Sequence, residues 1–287
     1  MMRLEPVSSK RKLYSKTIRL LMKGAAAVCV MIAAGLVGFI LFKGVGQLNA
    51  GFVFGKPSYL KETVGIFPDL LNTLYLVIAA LALTIPLGAG AAIYLSEYSK
   101  NRKMTALIEQ AAEILSGIPS IIFGLVGMLF FCQFLGLRTS LLAGSLTMVI
   151  MNLPGMIRSA QESLKTVDPA LKEGAHALGA GKWEVIRSIV LPACLPGVCT
   201  GMILCAGRMI GESAALLFTA GFAHSINGFV QAMQTSGSTL SVALYVYAKE
   251  QGNFDAAFGI AAILILLVLA ISLISEWVQK RFSKEQI

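Results

Sequence analysis

The stretch Glu173-Gly174-Ala175-His176-Ala177-Leu178-Gly179, followed after nine residues by Ile189-Val190-Leu191-Pro192, lies in a polar gap between two long apolar runs. Just upstream, Asp168 and Pro169 suit the N-cap and the first position of a helix. Residues 170–178 are mostly good helix formers, and Gly179 or Gly181 can end the run. A second helical run over 182–190 leads back to apolar sequence at Leu191-Pro192. The reading is a helix–turn–helix elbow on one face of a membrane domain. Small Gly174 and Ala175 permit another surface to approach closely, and Glu173 is placed to pair with a basic group on it. His176 reads as an exposed helix residue rather than a ligand.

Working outward, 56% of the 287 residues are hydrophobic and 14% charged, against roughly 25% charged in a soluble domain. The mean hydropathy is +0.75. A spanning helix needs about 20 apolar residues, and six stretches qualify: 24–42, 70–95, 112–135, 140–157, 193–221 and 256–276. Backbone polar groups in lipid must be satisfied within the segment, and these runs are too long and uniform for barrel strands. The fold class is therefore all-α, a six-helix membrane bundle. Eighteen of the 24 Lys and Arg fall in 1–23, 96–105, 158–191 and 277–287. The alternate loops and segment ends hold Lys43, Lys56, Lys61, Arg138 and Lys249. By the positive-inside rule both termini are cytoplasmic. The net charge of +9 follows from that topology and calls for no nucleic acid. The first apolar run, about 19 residues, exceeds a usual signal-peptide core of roughly 7–15 and reads as an uncleaved span. Cys29, Cys132, Cys194, Cys199 and Cys205 lie in apolar segments without metal spacing and read as small buried hydrophobes.

The chain divides into a basic N-terminal arm, 1–23, and one transmembrane domain, 24–287, whose loop 158–191 is the longest on the inside. The first external loop, 43–69, is glycine-rich and reads as irregular; in the other long external loop, 222–255, residues 239–250 suit a short helix. Glu109 and Glu113 share a helix face by their i,i+4 spacing. Ser116-Gly117-Ile118-Pro119-Ser120 interrupts the third apolar run, because proline lacks an N–H and clashes with the preceding turn. A break is expected there, and a helix restarting at Pro119 and Ser120 aims N–H groups at an anion or simply packs as a kink. Arg158, ending the fourth run, is an inside anchor or lines an exit.

Arg208 and Glu212 stand inside the fifth run. Arg208 is 16 residues past Pro192, about 24 Å along a helix. An arginine that deep is costly in lipid, about 2.5–3.5 kcal/mol on translocon scales. The i,i+4 spacing predicts that Glu212 pairs with it. The pair either locks helices together or presents a guanidinium fork, suited to oxyanions, along a path between subunits. Gly207 and Gly211 leave room for a facing helix.

The opening spacing resembles the EAA loop of ABC-transporter permeases, with Gly174 in place of the first Ala. In that family the loop docks on a cytoplasmic ATPase, which implies coupling through Glu173, Gly174, Ala175 and Gly179. Gly117-Ile118-Pro119-Ser120-Ile121-Ile122-Phe123-Gly124-Leu125 and the run from Arg208 through Gly211-Glu212-Ser213-Ala214-Ala215-Leu216-Leu217-Phe218-Thr219-Ala220 are similar to the A-type permease subunit of phosphate importers (PstA type). The resemblance spans nearly the whole chain. It implies a six-transmembrane-helix type I ABC importer permease (MetI-like) in the bacterial inner membrane, moving inorganic phosphate by alternating access. It implies Arg208, Glu212, Ser213, Pro119, Ser120 and Arg158 as the substrate pathway. A sister permease (PstC type), an ATPase dimer (PstB type) and an external phosphate-binding protein (PstS type) are the implied partners, besides membrane lipid. Sulfate and molybdate permeases share the EAA loop. Gly179-Ala180-Gly181-Lys182 fails the P-loop pattern, since His176 stands at the first glycine position and Trp183 follows the lysine. No cofactor is expected in this chain; ATP and magnesium belong to the partner ATPase. An intramembrane metalloprotease would need H-E-x-x-H, which His176 and His224 do not form. An ATP-independent carrier would not need the EAA loop.

Overall fold

The computed structural model describes residues 9–57 and 64–284. Lys61, the basic residues before position 14 and those after position 277 lie outside the described side chains. Among the described residues every regular element is helical.

Five helices are long and apolar enough to cross a membrane. They are carried by α1 (Ser9–Val45), α3 (Phe67–Ile93, prolonged by a wide π turn Tyr94–Tyr98), α6 (Leu141–Lys165), α9 (Leu191–Gly211, whose span begins upstream at Lys182) and α13 (Phe254–Lys284). A short α2 (Ala50–Phe54), capped by the Asn49 side chain, follows α1; part of the expected irregular first loop is thus helical. The third apolar run is broken where Pro119 stands: α4 (Arg102–Ser116) and α5 (Ser120–Gly127, prolonged by Met128–Phe134) meet at 100°. Counted as one span, that bent pair is the sixth. The expected span 112–135 is therefore split at Pro119 between the end of α4 and α5 with its extension. No residue of α4 is buried.

Two further boundaries move. The fourth span runs eight residues past the expected 157, so the first part of loop 158–191 is α6. The fifth stops at Gly211 instead of 221, because Glu212 takes an extended conformation (φ −78°, ψ 122°). The chain then doubles into a short α10 (Ala214–Thr219), and the following segment adds α11 (Phe229–Gln234) and α12 (Leu240–Tyr245, prolonged by Val246–Glu250). The helix expected over 239–250 is α12 with that extension.

Small residues bring these helices together. Ser159 and Ser163 of α6 face Gly197 and Gly201 of α9; the Ser163 hydroxyl donates to the Cys194 carbonyl at 2.8 Å and Ser159 to Gly197 at 3.3 Å. A Cβ on Gly197 would stand 2.5 Å from the Ser163 Cβ. In lipid, where apolar surface gains nothing by leaving solvent, such close packing and hydrogen bonding carry helix association. Gly124 of α5 likewise lies against Ala215 of α10. The apolar interior forms three main clusters. One, around Ala160, Leu164, Val185 and Val190, seats the elbow. A central one includes Leu76, Met148, Met209 and Leu216. The third, at the opposite end, joins Phe52, Ile66, Leu240 and Ile260. Cys132, Cys194 and Cys205 are buried as expected, whereas Cys29 is exposed on α1.

Candidate functional site

The elbow has the predicted form. The Asp168 carboxylate accepts from the Ala170 N–H at 2.9 Å and caps α7 (Pro169–Ala177). Gly179 ends it with φ +88°, a left-handed conformation that favours glycine, and α8 (Lys182–Val185) continues through a π turn into α9. Ala175 packs partly into the cluster beneath, while Glu173 and Gly174 are exposed and nothing in the chain lies within 4 Å of a Cβ built on Gly174. Leu178 is 91% exposed, with Leu171 and Trp183 beside it in sequence also open. Two ties fasten the elbow to the end of α3: an ion pair of Lys172 with Glu97, and the Lys182 ammonium 4.8 Å over the Tyr98 ring. His176 is exposed and its Nδ1 lies 3.1 Å from the Ala180 carbonyl, a local contact.

The predicted pathway residues separate into two places. Pro119, Ser120, Glu212 and Ser213 come together, because α5 and α10 pack side by side in the same direction. Gly124 meets Ala215 and Gly127 meets Thr219, a register that sets Ser120 level with Gly211 and Glu212, just before α10 starts. Arg208 sits exposed in the last turn of α9, where the helix dipole favours a cation. Arg158 is elsewhere, in a cleft of ≈ 260 Å³ between α4 and α6 with Glu109, Glu113, Ser116 and Gln161. Its charge is met by Glu162 at 3.8 Å on its own helix, and Glu109 accepts from Gln161 at 2.9 Å.

The predicted Arg208–Glu212 pair is not formed. Because α9 ends between them, the i,i+4 relation no longer holds. The Glu212 carboxylate instead turns to the N–H of Ala215 at 3.1 Å and caps α10, and its carbonyl accepts from the Ser241 hydroxyl. Arg208 has no ion pair among the described residues, and Gly207 and Gly211 face open space rather than a helix of this chain. The result is an unneutralised guanidinium on an open face, beside a turn in which the N–H groups of Glu212 and Ala215 are satisfied within the turn itself.

The family model for the binding-protein-dependent transport system inner membrane component matches residues 84–286. The chain belongs to that family. It is an ABC permease of the PstA type, with the type I importer fold expected from its sequence. It is 34% identical over 265 residues to the probable ABC transporter permease YqgI of Bacillus subtilis, covering 88% of this chain and 90% of that protein. It is 33% identical over 219 residues to the phosphate transport system permease PstA 1 of Mycobacterium tuberculosis, covering 75% and 70%. Among solved structures, a chain of a bacterial alginate ABC transporter in complex with an alginate-bound periplasmic protein superposes with a TM-score of 0.69 at 14% identity, covering 95% and 96%. The matched family region begins inside α3 and leaves out α1, which contacts the bundle through α13: Phe39 meets Phe258 edge-on at 5.7 Å.

Sequence reasoning missed one polar group. Asp69, in the first turn of α3, is fully buried, and its Oδ1 lies 2.7 Å from Nδ1 of His224. Asp69 stood just outside the expected second span, and 155 residues separate the partners. An acidic residue at the lip of an apolar run was the one available signal.

Proposed function

We propose that this chain is the A-type permease subunit of an importer for inorganic phosphate. Arg208 carries the reading: an exposed guanidinium with no ion pair, on the open face of α9, in a permease whose relatives include proteins named for phosphate transport. A sister permease completes the path by packing on that face, at the open flank of Gly207 and Gly211. The planar fork of Arg208 then offers paired donors to a tetrahedral oxyanion. The Ser120 start of α5 and Ser213 border the same turn. Arg158, already met by Glu162, lines the approach at the other end.

The elbow is the coupling surface. Leu171, Leu178, Trp183 and the unobstructed Gly174 form its contact, Glu173 pairs with the ATPase, and Lys172 and Lys182 pass the motion to the end of α3. ATP and magnesium are bound by that partner subunit, and an external binding protein delivers the substrate to the opposite end. The basic segments 1–23, 96–105, 158–191 and 277–287 support a cytoplasmic elbow and cytoplasmic termini, in the bacterial inner membrane. The test is uptake of labelled phosphate, sulfate and molybdate by the complete complex reconstituted in vesicles. Phosphate uptake that excess sulfate and molybdate leave unchanged is the expected result; sulfate or molybdate uptake in its place would overturn the substrate assignment.

A further inference from the structure

The segment after α10 is bound to the far end of the bundle by a series of hydrogen bonds. Residues 220–225 run beside 236–238: Gly237 N–H donates to Ala220 O at 3.0 Å, Ser238 N–H to Ala223 O at 2.9 Å, and the Ser225 hydroxyl to Ser236 O at 3.4 Å. These two paired segments present His224 to Asp69 of α3. One turn along α3, the Thr73 hydroxyl donates to the Asp69 carbonyl at 2.6 Å and accepts from the Leu240 N–H at 2.9 Å. Thr239 and Ser241 hydroxyls are 3.1 Å apart, and Ser241 donates to the Glu212 carbonyl, in the turn next to Arg208. His224 and that turn are thus joined through these bonds and the backbone at 239–241.

Asp69 has no exposure, and among the described residues no group donates to its Oδ2. The His224 side chain is 11% exposed. A buried carboxylate needs a compensating charge, and the ionisable groups facing this pair are each other and Tyr247, whose ring centroid is 6.1 Å from that of His224. We infer that Asp69 and His224 are positioning residues: a buried charge latch that holds the 221–241 segment on α3 and thereby holds the turn at 211–213 beside Arg208. The inference rests on the proposed pathway only for its transport consequence. Burial pulls the His224 pKa down, but the hydrogen bond and negative charge of Asp69 outweigh it and hold it above the ordinary value. With a raised value, His224 is fully protonated below the ordinary histidine pKa of about 6.5. It loses its charge as pH rises through the raised one.

The experiment uses the complete complex. The chain contains two histidines, so hydrogen–deuterium exchange at the imidazole C2 position, read by mass spectrometry, reports His224 separately from exposed His176. The His224 midpoint is expected above about 6.5, falling below it in Asp69→Asn, where burial acts alone. Phosphate uptake is expected to decline on the alkaline side with that same midpoint. His224→Gln should lower uptake and remove that limb, and His224→Lys should restore uptake and carry it to higher pH. A midpoint at or below the ordinary value, or an alkaline limb unchanged in His224→Gln, would overturn the latch. If the complex carries no phosphate, the substrate proposal fails alone; the exchange midpoint and the pH profile of ATP hydrolysis still decide the latch.

Discussion

The elbow at 168–182 and the turn system at 208–241 are both polar interruptions of an apolar bundle, yet they are built in opposite ways. The elbow closes its backbone hydrogen bonds locally, through the Asp168 cap and the Gly179 turn, and leaves Gly174, Leu178 and Trp183 outward. The turn system closes its bonds over long sequence separations, Leu240 to Thr73, Ser241 to Glu212 and His224 to Asp69, and leaves Arg208 without an ion pair among the described residues. A surface meant for another protein can satisfy itself locally. A turn inside a bilayer has no water to fall back on and must borrow partners from other helices.

That contrast can be broken in three places. The largest effect is expected from Arg208→Gln, which removes a charged donor worth about 1.5–3 kcal/mol, so phosphate uptake should fall roughly ten- to hundredfold with the complex still assembled. Unchanged uptake would reduce Arg208 to a helix-terminal cation. Next is Gly174→Trp. Nothing within the chain obstructs that position, so the fold should keep its thermal midpoint while ATP hydrolysis uncouples from uptake or the ATPase is lost on purification. Ala175 is a poorer site for this test, because its side chain also packs inside the chain. Retention of coupled activity in Gly174→Trp would mean that the partner docks elsewhere. The smallest effect is Gly197→Ala, whose new Cβ meets the Ser163 Cβ and forces α6 and α9 apart. A destabilisation of about 1–3 kcal/mol is expected, read as a lower unfolding midpoint; Gly90→Ala, which meets nothing within 4 Å, is the control. Equal midpoints would show that the α6–α9 contact is not tight in the membrane.

The elbow was legible because its signals are local: a cap, a proline, a left-handed glycine and helix formers between them, all within 14 residues of Asp168. The break at Pro119 was legible for the same reason. The end of the fifth span was not. Gly211-Glu212-Ser213 sits inside a long apolar run, and apolarity alone cannot distinguish a helix that continues from one that doubles back against α5. From that one error followed the second, the pairing of Arg208 with Glu212.

Composition and hydrophobic period settled the membrane environment, the helical class and the elbow, since lipid leaves a backbone few choices and helix caps act over a single turn. The tertiary fold decided which charges meet. It gave Glu212 to α10, left Arg208 on an open face and joined Asp69 to His224 across 155 residues. An ion pair depends on where helices end and fold back, and that is set by packing between distant segments rather than by spacing along the chain.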